Sequence, residues 1–81
     1  MTTNSFKKPL CQEVKKSLEE YFDQLDGEEI IDLHSMVISE VEKPLIEAVL
    51  AHTKSNQSKA AKMLGLSRGT LRKKMSEYHI E

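Results

Sequence analysis

Apolar residues recur every three or four positions along much of this chain, which is the spacing of one face of an α-helix. The first such stripe consists of Leu10, Val14, Leu18, Phe22 and Leu25. It stops at the pair Asp26 and Gly27, which is typical of a helix end. The pattern therefore predicts a first helix that begins at Leu10.

A second apolar stretch covers residues 30–53 and predicts a long second helix. Its apolar side chains spread over more of the helix surface than a helix normally buries within its own domain. A chain of 81 residues has few other elements that could cover the excess. Pro44 lies inside this helix and lacks a backbone N–H, so a bend is expected at residues 40–44.

Self-association is the simplest way to cover this excess of apolar surface. We expect an obligate homodimer in which two copies pack their first and second helices into a shared four-helix core. The alternative is a monomer with an exposed apolar patch. The residues expected in the dimer interface are Val14, Leu18, Phe22, Leu33, Met36, Val37, Val41 and Leu45.

Two further helices are predicted in close succession near the end of the chain. Gln57 to Leu64 has helical spacing, and Asn56 offers a side-chain oxygen to cap its first turn. Gly65 supplies the left-handed backbone that ends a helix, and Ser67 caps the next helix, which runs through Met75. Helices only three residues apart cross steeply, as in a helix-turn-helix.

The side chains of this predicted helix pair divide into an inner and an outer set. The small residue Ala61 falls where the two helices touch, and Leu66 and Leu71 are expected to fill the angle between them. The second helix then presents cations on its opposite side, namely Arg68, Arg72 and Lys73.

Charge is divided unevenly along the chain. Residues 48–76 hold seven Lys and Arg without one Asp or Glu, whereas residues 1–47 hold five cations and eleven acids. The net charge of −1 therefore hides a strongly basic segment. A solvated surface would mix the signs, so the charge favours double-stranded DNA as the partner. The alternative is a helical hairpin without a ligand, which needs the same small residues.

Other classes of function find little support in the sequence. A glycine-rich phosphate loop and a nucleophile-base pair are both missing, so we do not expect an enzyme or a cofactor. His34, His52, His79 and Cys11 share no metal-ligand spacing, and Cys11 is expected to be a partly buried thiol. With no long apolar run and no signal peptide, we expect no membrane association and a cytoplasmic location.

Four stretches of the chain resemble the family of Fis, the bacterial factor for inversion stimulation: KPL, YFDQLDGEEI, EVEKPLIEAVL and NQSKAAKMLGLSRGTLRKKM. The resemblance covers residues 8–80. The run GLSRGTLRKKM is also similar to the DNA-binding end of NtrC-type transcriptional activators, which carry it behind a large ATPase domain. The first two helices, with Pro44, favour the free-standing Fis-like protein.

The resemblance implies an all-α, four-helix subunit. Its first two helices form an intertwined dimer, and its last helix enters the major groove of DNA. The expected organisation is an N-terminal arm at 1–8, dimerisation helices at 9–53 and a helix-turn-helix at 54–81. Positions that match the family's DNA contacts are Lys54, Asn56, Ser58, Ser67, Arg68, Thr70, Arg72, Lys73 and Lys74.

Among these positions the resemblance implies different roles. Arg68 is the expected base reader, since an arginine can donate two hydrogen bonds to O6 and N7 of guanine. Lys54, Asn56, Ser58 and Arg72 match positions that touch the phosphate backbone at the flanks of the site. In this family the two recognition helices lie closer together than successive major grooves of straight DNA, so the duplex must bend. Compressible A·T-rich centres are then favoured.

The same resemblance implies a transcriptional regulator and nucleoid organiser of bacteria, with RNA polymerase as a candidate partner. Family members commonly have a longer N-terminal segment, which activates DNA invertases. Because eight residues precede Pro9 in this sequence, we expect no such stimulation here. Ser76 and Glu77 stand where the family often adds lysines, so we expect weaker non-specific DNA affinity. The remaining alternative is a helical adaptor dimer that docks another protein.

Overall fold

The computed structural model describes residues 6–81 and contains four helices in that range. They are α1 (Leu10–Gln24), α2 (Leu33–His52), α3 (Gln57–Leu64) and α4 (Arg68–Glu77). The prediction of an all-α fold is confirmed. The predicted arm at 1–8 lies largely outside the described residues. The chain divides into two compact units, of which the first ends at Ile31 and the second spans Asp32–Glu81.

Helix α1 begins directly after Pro9, whose carbonyl accepts hydrogen bonds from the N–H groups of Gln12 and Glu13 at 3.1 and 3.2 Å. Pro9 is the N-cap residue, with φ −57° and ψ 123°, and since it has no N–H it takes part in the helix only through its carbonyl. Beyond the helix, Asp26 and Gly27 have φ angles of 53° and 85°, so the predicted stop is confirmed. The expectation for Cys11 was wrong, since its side chain is exposed on α1.

Helix α2 begins three residues later than the start of the apolar stretch. Asp32 precedes the helix with a left-handed φ of 55°, and its carbonyl accepts the N–H of Met36 at 3.2 Å. Ile30 and Ile31 therefore stay outside the helix, and Ile31 is 75 % exposed. The helix continues through Pro44, and the bend expected there stays a prediction.

The turn from α2 to α3 places two consecutive residues, Lys54 and Ser55, in the left-handed region at φ 54° and 65°. Each such residue costs about 1–2 kcal/mol when it carries a side chain. Hydrogen bonds compensate, because the N–H of Ser55 donates to the carbonyl of Leu50 at 2.8 Å and that of Lys54 to Ala51 at 3.2 Å. These bonds satisfy carbonyls that the end of α2 would leave unpaired.

A small apolar core holds α2, α3 and α4 together within the second unit. Helix α3 contacts both α2 and α4. The buried residues are Ile46, Leu50, Ala60, Ala61, Leu71 and Met75. The two alanines lie on the inner side of α3 and let its backbone approach both neighbours closely. The core therefore fixes how α4 is presented to solvent.

The first half of α2 contributes little to this core. Met36, Val41 and Leu45 are exposed in the single chain, Leu45 to 48 %. In α1 no residue is buried, and Phe22 is exposed to 43 %. Apolar surface thus concentrates on α1 and on the first half of α2. Across residues 6–81, no helix is long and apolar enough to cross a membrane.

Candidate nucleic-acid interface

The connection between α3 and α4 consists of three residues, as the sequence predicts. Gly65 ends α3 with a left-handed φ of 74° and donates its N–H to the carbonyl of Lys62 at 3.2 Å. The N–H of Leu66 donates to the carbonyl of Ala61 at 2.9 Å. This pair of bonds resembles the Schellman termination of a helix, which brings the chain back over its last turn. The predicted role of Gly65 is confirmed.

Both predicted N-caps of the helix pair are present. The Oδ1 atom of Asn56 accepts the N–H of Lys59 at 3.0 Å, and the Oγ atom of Ser67 accepts the N–H of Thr70 at 3.1 Å. The Ser67 hydroxyl also donates to Oγ1 of Thr70 at 2.9 Å. The hydroxyl of Ser67 is therefore occupied by the cap, whereas the hydroxyl of Thr70 still has a hydrogen to donate.

Helix α4 has one buried face and one exposed face. Leu71 and Met75 are buried in the core, while Arg68, Arg72 and Lys73 are exposed. Because residues four apart share a helix face, the buried pair faces the core and the cations cover much of the rest. The outward presentation of these cations, which the sequence predicts, is confirmed.

A second group of polar and basic residues lies at the beginning of α3. Lys54, Asn56 and Ser58 are all exposed. Next to them an open groove of about 580 Å³ is lined by His52, Thr53, Lys54, Lys59, Lys62 and Met63. No acid lies in this lining, so the surface suits an anion. The sequence had placed only Lys54 of these residues among the DNA contacts.

Lys74 differs from the other predicted contact residues. Its Nζ atom forms an ion pair with Oε1 of Glu42 on α2 at 3.0 Å, and the Tyr78 hydroxyl donates to the same oxygen at 2.6 Å. The Glu42 and Lys74 side chains are 23 % and 28 % exposed. This three-residue cluster, which we call the Glu42 cluster, ties α4 to α2 beside the core.

The cluster shifts the pKa values of all its members. Hydrogen bonds from Tyr78 and then Lys74 lower the pKa of Glu42 below its ordinary value of 4.5, because both donors favour the carboxylate. The bond to Glu42 raises the pKa of Lys74 above 10.5 and that of Tyr78 above 10.0. Each group therefore favours the protonation state that preserves the cluster.

Sequence reasoning missed Glu42 and Tyr78 as neighbours of Lys74. Lys74 and Tyr78 are four residues apart, so their placement on one helix face is readable from the sequence. Glu42 is 32 residues from Lys74, and only the packing of α4 against the core brings them together. Charge counting alone treated all seven cations of the basic segment alike.

Two family models match the chain on these elements. Residues 37–78, which include the helix-turn-helix, match the family described as "Bacterial regulatory protein, Fis family". Residues 1–30 match the model described as "DNA-binding protein Fis N-terminal domain". The architecture and the matched region define a helix-turn-helix regulatory protein, a class that is not enzymatic.

Curated relatives agree with the family models over most of the chain. A DNA-binding protein Fis from Aliivibrio fischeri (strain MJ11) is 52 % identical over 71 residues, which is 88 % of this chain and 72 % of the relative. Proteins of the same name from Actinobacillus succinogenes and Proteus mirabilis are 54 % and 49 % identical over the same shares. The chain belongs to the Fis family.

The Glu42 cluster gives stability a defined pH dependence. The stabilisation of the fold by the Glu42 carboxylate should be complete above about pH 4.5. It should disappear as the pH falls through the lowered pKa of Glu42. The contributions of Tyr78 and Lys74 should be complete below about pH 10 and disappear as the pH rises through their raised pKa values. Thermal unfolding of the wild type and of Glu42→Gln, measured at a fixed chain concentration, checks this.

The difference in melting temperature between the two proteins should be constant between these limits and shrink outside them. Glu40→Gln is the matched control, because Glu40 is exposed on the same helix. A difference that shrinks within the neutral range, or that Glu40→Gln reproduces, would contradict the assignment.

Proposed function

We propose that this chain is a homodimeric DNA-binding and DNA-bending regulator that reads the major groove with α4. The observation that carries the proposal is the division of α4 into a buried apolar face and an exposed cationic face. The buried face of such a helix packs against the core, so its exposed face can enter the major groove of DNA without loss of that packing. The relatives that match the chain are named DNA-binding proteins.

Arg68 is the proposed base reader, since it lies in the first turn of α4 and is exposed. Its guanidinium can donate two hydrogen bonds to guanine. The other proposed contacts bind the phosphate backbone or hold the helix in place. They are Lys54, Asn56, Ser58, Ser67, Thr70, Arg72 and Lys73; Lys74, the remaining member of the predicted set, is left out because it is paired with Glu42.

Ser67 and Asn56 combine two tasks in this proposal. Their side-chain oxygens are used by the helix caps, at 3.1 and 3.0 Å. Each residue therefore stabilises the helix whose first turn approaches the DNA. The Nδ2 atom of Asn56 can then donate to a phosphate, because the cap uses only Oδ1.

Dimerisation is proposed because the single chain leaves much apolar surface in water. The predicted interface residues Val14, Leu18, Leu33 and Val37 are only partly buried, and the rest of that set is exposed. The core of the second unit contains six residues, which is small for independent stability. Pairing of the first and second helices of two copies would bury both surfaces.

A dimer of this kind presents two α4 helices to one duplex. We propose that their spacing requires the DNA to bend, so that deformable A·T-rich centres are preferred and few bases are read directly. Lysine and arginine contacts to phosphates would then supply most of the affinity. Promoter-bound complexes in the cytoplasm, on the bacterial nucleoid, would act on transcription by RNA polymerase.

Changing Arg68 to Ala tests base reading. We expect the variant to lose about 1–3 kcal/mol of discrimination between duplexes with and without the guanine that Arg68 is proposed to contact, because two hydrogen bonds are removed. Arg72→Ala is the matched control and should weaken binding to all sequences alike, since it contacts phosphate. Competition gel shifts on circularly permuted duplexes measure affinity, discrimination and bending together.

Retention of full affinity by Arg68→Ala, with an intact dimer, would favour the helical adaptor instead. If the wild type binds the permuted duplexes but the gel mobility of the complex does not depend on where the site lies in the duplex, the DNA is not bent and that part of the proposal is wrong.

Changing Leu45 to Asp tests the dimer. The charge would have to be buried in the shared core, so we expect sedimentation to give monomers and DNA bending to be lost. Met63→Asp is the control for sedimentation alone, because Met63 is 55 % exposed on α3 and lies outside the proposed interface but lines the basic groove. A wild type that sediments as a monomer at micromolar concentration would refute the dimer.

A further inference from the structure

Glu42 is an acid on α2 whose carboxylate contacts a lysine of the basic helix α4. It extends from α2 to the last turns of α4, where its Oε1 atom accepts hydrogen bonds from Lys74 and Tyr78 at 3.0 and 2.6 Å. The Glu42 and Lys74 side chains are partly buried. Unlike Arg72 and Lys73, which are exposed, Lys74 therefore already has an anionic partner.

A phosphate group must compete with this carboxylate for the ammonium of Lys74. Hydrogen bonds in which the donor or the acceptor is charged are short and strong, and two of them converge on one carboxylate oxygen here. Tyr78 also holds the carboxylate in place when the lysine moves away. Transfer of Lys74 to DNA would then leave Glu42 negative and close to the phosphates, which raises the cost of the transfer.

We propose that Glu42 withholds Lys74 from DNA phosphate, so that each subunit binds a duplex without the contribution of this cation. The proposal rests on the proposed DNA binding and deepens it. Glu42 acts through another residue and is a positioning residue. Its effect is to lower the affinity for any sequence, while the exposed face of α4 that reads bases stays unchanged.

The dependence of affinity on salt counts the phosphate-bound cations directly. Binding to a short duplex of random sequence is measured from low to high potassium chloride for the wild type, Lys74→Gln, Lys73→Gln and Glu42→Gln. We expect Lys73→Gln to flatten the slope of log K against log salt by about 0.9 per lysine, hence about 2 in a dimer. Lys74→Gln should leave the slope unchanged.

Glu42→Gln should steepen the slope by up to the same amount, because Lys74 is released. The steepening should vanish in the double variant Glu42→Gln with Lys74→Gln. Tyr78→Phe is a second variant that loosens the carboxylate without changing charge, and it should steepen the slope less. Circular dichroism confirms that each variant is folded.

Two results would overturn the proposal. One is a slope for Lys74→Gln that is as flat as that of Lys73→Gln, and the other is a steepening by Glu42→Gln that persists without Lys74. The proposed function fails in a different way, namely if the wild type does not bind the duplex at low salt at all.

Gly69 carries a second and independent inference. It lies in α4 on the exposed face, and a Cβ built on it meets no atom within 4 Å. Its φ is not in the left-handed region, unlike that of Gly65 at +74°. The fold therefore does not require glycine at this position, and glycine is unfavourable within a helix.

We infer that Gly69 is present because it has no side chain. Between Arg68 and Lys73 nothing then projects from the exposed face of α4, so the helix backbone can approach the base edges closely. The inference rests on the proposed function. Gly69→Ala should raise the melting temperature and weaken binding to an A·T-centred duplex with flanking guanines at least several-fold. Gly65→Ala is the matched control and should lower the melting temperature, because alanine is strained at its φ.

A Gly69→Ala variant that is less stable than the wild type would show that the fold itself needs the glycine. A variant that is more stable and binds the duplex as tightly would equally overturn the inference. Failure of the wild type to bind would instead concern the proposed function.

Discussion

The close approach of α3 to both α2 and α4 is the constraint on which the second unit depends. Ala60 and Ala61 are fully or almost fully buried, at 0 % and 3 % exposure, and their small side chains set this distance. Larger residues there would push the helices apart, and overpacking of a tight contact is destabilising. Since Leu71 and Met75 dock against the same core, the alanines also determine where the cationic face of α4 lies.

The packing and the electrostatics of α4 are two aspects of one arrangement. Apolar contacts bury one face of α4, so the opposite face can carry several positive charges. These charges repel one another, and a nearby polyanion reduces that repulsion. Glu42 interrupts this scheme at the edge of the core, where it binds both Lys74 and Tyr78. The number of cations in the sequence and the number that face solvent unpaired are therefore different quantities.

The sequence predicted those features that depend on neighbouring residues. The caps at Asn56 and Ser67 and the stop at Gly65 were readable, because each involves atoms within a few positions. The start of α2 was placed too early because the apolar pattern was followed back to Ile30, although Asp32 is a preferred N-cap residue type. The contact of Glu42 with Lys74 was missed because it needs the tertiary fold. The family resemblance supplied the site residues that charge alone could not rank.

The turn at Lys54 and Ser55 stores conformational strain between α2 and the helix pair. Two adjacent left-handed residues with side chains are held there mainly by hydrogen bonds to the end of α2. We expect local opening to begin at such a segment, because the strain released by the backbone offsets part of the free-energy cost of breaking these hydrogen bonds. Amide hydrogens around this turn would then exchange with solvent sooner than those of the core, and α3 and α4 could change their tilt relative to α2 without unfolding.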